Sequence, residues 1–167
     1  VGTLIMAHSD DDGLVLPPRI APQQIVIVPV TPKEDLRDAI VEACEALATQ
    51  LRDQCYGKES LRVHVDKRDL GGGVKKWEWV KKGVPLRVEI GPRDLEGGKV
   101  CFQRRDQTPN EKSFISQEEF LLGVVEIIED IHTSLLDRAR RFRDENITEC
   151  TDLANFEKHW EDSNPNP

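Results

Sequence analysis

No stretch of the sequence approaches the roughly 18 consecutive apolar residues of a membrane-spanning helix. The opening residues have neither the basic region nor the long apolar core and small-residue cleavage site of a secretory signal. Both absences set the expectation of a cytoplasmic protein with no membrane partner. Cysteine is sparse and scattered: Cys44, Cys55, Cys101 and Cys150 form no C-x-x-C pair, so neither a zinc ribbon nor a dithiol redox centre is supported. Cys44 falls in a helical pattern and Cys101 in a strand pattern, which reads as reduced thiols. His8, His64, His132 and His159 show no ligand spacing, and neither an H-x-x-x-H pair nor a serine elbow occurs. His64 alternates with strand residues and reads as a structural histidine. There is no internal repeat and no complete catalytic constellation, so no catalytic residue, metal or cofactor is assigned within the chain.

What is present is a 167-residue chain, 38% hydrophobic and 32% charged, the balance of one globular domain with room for short extensions. The net charge of −8 taken alone argues against nucleic acid, but it is unevenly spread. Residues 1–57 carry net −5, residues 58–105 net +6 and residues 106–167 net −9. A basic block inside an acidic chain can draw a polyanion to one face.

Pattern along the chain alternates strand and helix. QIVIVPV gives a buried strand over 24–29. Thr31, Pro32 and Glu34 supply an N-cap, a first-turn proline and a capping box for a helix of about 20 residues carrying Leu36, Ile40, Ala43, Leu47 and Leu51. LRVHVD (61–66) alternates as a strand, DLGGG (69–73) is a flexible loop, and VKKWEWVKKG is a short helix ended by Gly83. VPLRVEIG (84–91) and KVCFQRRD (99–106) are two further strands joined by PRDLEGG. A capping box at Ser116 and Glu119 opens a long helix, with Phe120, Val124, Ile127, Ile131, Leu135 and Phe142, reaching about residue 144. Beyond it the chain is polar and is expected to fray. The order implies a mixed, mostly parallel sheet flanked by helices.

Three motifs carry candidate chemistry. With Gly13 at the sixth position of a calcium loop, His8 would be the first ligand and Arg19 the twelfth, and arginine cannot supply the bidentate carboxylate required there. A two-carboxylate magnesium site fits Asp10-Asp11-Asp12 as well, but consecutive residues rarely converge on one ion, and a solvated acidic turn is the better reading. Gly71-Gly72-Gly73 lacks the Lys-Ser/Thr ending of a phosphate-binding P-loop and the dinucleotide spacing. The third motif is the basic block: Lys75, Lys76, Lys81 and Lys82 around Trp77 and Trp79, followed by Arg87, Arg93, Arg104 and Arg105. Lysines neutralise phosphates, arginines fork onto guanine edges and tryptophans stack on unpaired bases, which suits a single-stranded RNA loop. A solvated basic helix with its tryptophans turned partly into the core fits the same residues.

Three stretches carry a resemblance. GTLIMAHSDDDGLVLPPRIAPQQIVIVPV resembles the passage in prolyl-tRNA synthetases from the third class II motif into the anticodon-binding domain. WVKKGVPLRVEIGPRDLEGG is similar to that domain's K-G-x-P-L-R-x-E-x-G-P-R-D segment, and QRRDQTPNEK to the R-D-T-x-x-K region after it. The likeness covers about residues 1–145 and is to the archaeal and eukaryote-like branch, also found in some bacteria. Threonyl-, histidyl- and glycyl-tRNA synthetases match less well over GLVLPPRIAP and KGVPLRVEIGPRD.

The resemblance implies a C-terminal segment of a homodimeric proline–tRNA ligase. Residues 1–22 would be the end of a catalytic domain, with VGTLIMAH as its remnant last strand, followed by a linker. An α/β anticodon-binding domain with a mixed five-stranded sheet would fill 23–145, and 146–167 would begin a C-terminal extension. In isolation, residues 1–20 are expected to be poorly ordered or to make a dimer contact. The whole enzyme would use ATP and magnesium, with no cofactor in this segment. By resemblance Arg87 and Arg93 face the anticodon of the proline tRNA, with Lys82 beside them and Trp79 against the loop. Ser9 stands where the family usually has glycine. Val80 stands where many members have an acidic residue, and Glu78 is the candidate substitute. Lys75, Lys76 and Arg105 are assigned to phosphates from charge alone. Two other functions fit the residues: a free-standing RNA- or protein-binding module of synthetase ancestry, and a small-molecule-binding α/β module using the GGG loop.

Overall fold

Residues 25–29 are buried on both sides of the chain, the mark of a central strand. Around them the computed structural model, which describes residues 2–31, 34–108 and 111–163, builds a layered α/β fold. The elements in order are α1 (Gly2–Ala7), β1 (Ser9–Asp10), β2 (Gly13–Leu14), β3 (Ile25–Pro29), α2 (Arg37–Arg52), β4 (Cys55–Tyr56), β5 (Glu59–Ser60), β6 (Val63–Val65), α3 (Gly72–Lys81), β7 (Leu86–Ile90), α4 (Pro92–Gly97), β8 (Lys99–Arg104), β9 (Ser113–Ser116), α5 (Gln117–Glu145) and α6 (Leu153–Ser163). They group into two compact units, Val1–Leu135 and Leu136–Pro167.

In the first unit β6, β3, β7, β8 and β9 form one five-stranded sheet in that spatial order. β3 pairs in parallel with β6 and β7, while β7–β8 and β8–β9 are antiparallel. Crossover helices enforce the parallel pairs, and the short β7–α4–β8 and β8–β9 connections allow the antiparallel ones. The expected mixed five-stranded sheet is therefore present. Ile25 and Ile27 of β3, Leu86 and Val88 of β7 and Val100 and Phe102 of β8 meet Ile40, Leu47 and Leu51 of α2 and Phe120, Val124, Ile128 and Ile131 of α5 in the main core. On the other face Val26 and Val28 meet Trp79 and Val84.

Several expectations are corrected. GTLIMA is a helix, not a strand: with no neighbouring strand to take its backbone groups, the segment satisfies them internally. The stretch after it is not loose. Val15, Leu16 and Ala21 are buried, although α1 itself buries no residue. The helix expected from Thr31 begins later, with a 3₁₀ turn at Glu34–Leu36 and α2 from Arg37, and no side chain caps it; Pro32 and Lys33 lie outside the described residues. Gly72 and Gly73 belong to the first turn of α3, not to a loop. PRDLEGG folds as α4, and Ser113–Ser116 supplies the outer strand β9.

The capping box of α5 is present: the Ser116 N–H donates to Glu119 Oε2 at 3.1 Å and the Glu119 N–H to Ser116 Oγ at 3.1 Å. In the second unit the expected fray is instead α6, whose entry is capped by Asp152 accepting from the Asn155 N–H at 2.9 Å. Leu153, Phe156 and Trp160, at helical spacing, leave their apolar side chains exposed.

Candidate nucleic-acid interface

α3 carries the basic sequence block, and its two faces have different fates. Lys75, Trp79 and Lys82 recur at helical spacing toward the sheet and the β6 end; Lys76, Trp77 and Val80 line the opposite side. The inner face is tied down by Asp66, a fully buried residue just after β6. Its Oδ2 accepts the Trp79 indole N–H at 2.8 Å and the Arg68 Nη2 at 2.8 Å, and its Oδ1 accepts Arg68 Nε at 2.9 Å. Its carbonyl accepts the Lys75 ammonium at 3.1 Å. The Arg68 hydrogen bonds outweigh burial and hold the Asp66 carboxyl well below the ordinary carboxylate range. Trp79 is further enclosed by His64, 5.2 Å away between ring centroids, and by the Lys82 ammonium 4.3 Å from its ring centre.

This corrects three sequence assignments. Lys75 is buried on a protein carbonyl and is not a phosphate contact. Trp79 is largely buried in the second core cluster, and it borders the apolar groove beside Lys82, not the basic cleft described next. Glu78 is engaged at 2.7 Å by Arg68, on the flank away from the basic cleft described next.

On the outer side of α3 a cleft of about 220 Å³ opens between the helix and the β7–β8 end of the sheet. Lys76, Trp77, Val80, Val84, Arg87, Gln103, Arg104 and Arg105 line it, with Gln107 and Asp12. Arg87 and Gln103 are register partners across the antiparallel β7–β8 ladder, so their side chains stand together on one face. The Arg87 guanidinium donates to Gln103 Oε1 and, at 3.4 Å, to Glu89 Oε1. Burial pulls Arg87 below its ordinary value against the pull of Glu89, and the group stays cationic. Burial alone would raise the Glu89 carboxyl, yet Lys112 at 2.6 Å holds it low. Trp77 is 46% exposed, with the Lys81 ammonium 5.6 Å from its ring centre.

Arg104 and Arg105 bring charge to the wall but spend it locally. Arg104 binds Asp106 at 2.7 Å and also Asp130. Arg105 clamps both carboxylate oxygens of Asp10, one at 2.7 Å, and donates to the Val80 carbonyl at 3.3 Å. Arg105 thus braces the β1–β2 hairpin while lining the cleft. Lys82 lies outside the cleft, beside a second, apolar groove formed with Leu14, Leu16, Pro22 and Val84. Arg93 is exposed in the first turn of α4 and does not line the cleft.

Of the eight residues assigned from sequence, the structure brings together Lys76, Arg87 and Arg105. Sequence reasoning missed Gln103, Val84, Gln107 and Asp12 as cleft residues. The helical spacing of Lys76 and Val80 was a usable signal; the Arg87–Gln103 pairing needed the β7–β8 register. Among the described residues no group of three or more His, Cys, Asp or Glu is placed to hold a metal ion, and no helix is long and apolar enough to cross a membrane.

Comparison with known proteins supplies the family. The anticodon binding domain family matches residues 24–127. The proline–tRNA ligase of Akkermansia muciniphila is 58% identical over 160 residues, covering 96% of this chain and 32% of that protein. That of Protochlamydia amoebophila is 51% identical over 147 residues, covering 88% and 29%, and proline–tRNA ligase 2 of Anaeromyxobacter dehalogenans is 48% identical over 143 residues, covering 86% and 28%. The chain therefore spans about a third of the length of these relatives. The family match takes in all five strands of the main sheet, α2, α3 and α4 and the start of α5, and this chain belongs to the anticodon binding domain family.

Proposed function

We propose that this chain reads the anticodon loop of a proline tRNA as the recognition part of a longer proline–tRNA ligase that attaches proline to its tRNA with ATP. The observation that carries this is the cleft in which Lys76, Trp77 and Arg87 converge on an anticodon-binding fold. The half-exposed Trp77 face supplies a stacking surface for an unpaired base. Lys76 neutralises a phosphate at the rim. Arg87, held in place by Gln103 and Glu89, presents a guanidinium whose five donors exceed those two contacts and suit the O6 and N7 of guanine. Arg93 and Lys82, outside the cleft, contact the loop's flanks.

ATP and magnesium chemistry, and the cytoplasmic setting it implies, we place with the longer protein. Asp10 does not fit a magnesium site, because both of its carboxylate oxygens are taken by Arg105.

The test is a titration of the chain with labelled anticodon stem-loops of proline and non-proline sequence at physiological salt. A preference for the proline loop is expected; equal, weak binding to both overturns the reading. Arg87→Ala should cost discrimination worth roughly 1–3 kcal/mol, the scale of one bidentate base contact.

A further inference from the structure

We infer that Asp12 is the carboxylate by which this cleft selects guanine, an assignment that rests on the anticodon reading above. Asp12 is the one acidic residue among those lining the cleft. Among the described residues no donor is bonded to its carboxylate, whereas Arg104 and Arg105, on the same wall, are already matched to Asp106, Asp130 and Asp10.

The backbone that presents Asp12 is fixed from three sides. Its own N–H donates to Asp10 Oδ1 at 3.0 Å, and Asp10 is clamped by Arg105. β1 and β2 pair Asp10 with Gly13. Gly13, at φ +134, lies so close to α3 that a Cβ would come within 2.6 Å of the Lys81 backbone, so the turn is pressed onto the helix. The hairpin tip is thereby a built wall of the cleft, facing the Trp77, Lys76 and Arg87 side.

The chemistry of that set is specific. The Watson–Crick edge of guanine presents two adjacent donors, N1–H and the N2 amino group, beside the O6 acceptor. A carboxylate takes both donors at once, and a cation takes O6. Adenine offers an acceptor where guanine has N1–H, so the same carboxylate repels it. Hypoxanthine, the base of inosine, keeps N1–H and O6 and lacks only the N2 amino group, which isolates one of the two proposed bonds.

The proline anticodon carries two guanines, and the experiment compares anticodon stem-loops with guanine, inosine or adenine at each of those two positions, titrated by fluorescence anisotropy against the whole chain. The probes are the wild type, Asp12→Ala, Asp12→Asn and, as a charge-matched control, Asp11→Ala at the exposed neighbouring position. Wild-type protein should prefer guanine over inosine at one position by about 5- to 150-fold, the range of one good base contact. Asp12→Ala and Asp12→Asn should bring that ratio close to one, and Asp11→Ala should leave it unchanged.

If the Asp12 variants keep the guanine preference, or bind every loop tighter by a common factor, Asp12 is only a charge near phosphates. The guanine-selecting role is then overturned while the anticodon reading stands. If wild type fails to separate proline from non-proline loops, the reading itself falls and takes the inference with it. Thermal melts of each variant keep a loss of folding from being scored as a loss of selectivity.

Discussion

One buried residue, Asp66, holds an arginine and a tryptophan through its carboxylate and a lysine through its backbone carbonyl. Asp66→Ala leaves the buried Trp79 N–H without an acceptor, and a loss of roughly 1–3 kcal/mol in chemical denaturation is expected. The pH dependence has a definite sign. The folded carboxyl sits below its ordinary 3.8, so its contribution is fully present above about pH 4 and is lost as the pH falls through the folded value. Melting temperatures recorded from about pH 6 to about pH 2 should fall less steeply for Asp66→Asn than for wild type. An equal acid slope would remove Asp66 from that role. The cysteines give an independent residue-scale check. Burial pushes the Cys44 thiol up to about 12 and also raises Cys101, while Cys55 is exposed. Thiol reagents should modify Cys55 in the native protein and reach Cys44 and Cys101 only on unfolding.

At the scale of elements, the hairpin and α3 meet through two glycines. Gly83, at φ +70, ends α3, and a Cβ there would lie 2.6 Å from the backbone of Leu14. Its carbonyl accepts the Leu16 N–H at 3.2 Å, which anchors the chain leaving the hairpin. Gly83→Ala meets both a disfavoured conformation and a clash, and should cost about 1–3 kcal/mol. It should also weaken loop binding, since the hairpin wall shifts with it. A variant that is destabilised but binds at full strength would separate the hairpin from the cleft. α5 is anchored differently, by Phe120 packed at full burial against Phe102, 5.4 Å between ring centroids. Phe120→Ala should cost about 3–5 kcal/mol in stability.

For the whole molecule, a net charge of −8 and the proposed polyanionic ligand are reconciled by arrangement. Asp10, Asp106 and Asp130 neutralise Arg105 and Arg104 at the cleft wall and so set their geometry. Removing one phosphate contact should therefore be visible in the salt dependence: Lys76→Ala should lower the slope of log affinity against log salt by about 1, uniformly across loop sequences. Arg87→Ala should instead change the ranking of sequences. Identical behaviour of the two variants would dissolve the division between phosphate and base contacts.

The alternation of β-branched and helical periods determined the element order, because burial on one face leaves a period of two or 3.6 in the chain itself. It placed β3, β6, β7, β8, α2, α3 and α5, and the capping box at Ser116 was legible because its partners are three residues apart. Short elements escaped. α4 and β9 have too few residues for a period, and the GTLIMA helix was misread because an apolar run of that length fits either state. The basic block, too, was legible as composition. Which of its members face outward was decided by tertiary structure, since Asp66 draws Lys75 and Trp79 inward from a different strand. The same holds for Asp10-Asp11-Asp12. The sequence alone excluded a calcium loop, because Arg19 occupies the position of a ligand. Only the packing of Gly13 on α3 and of Asp10 on Arg105, across 95 positions of sequence, made that acidic turn one wall of the cleft.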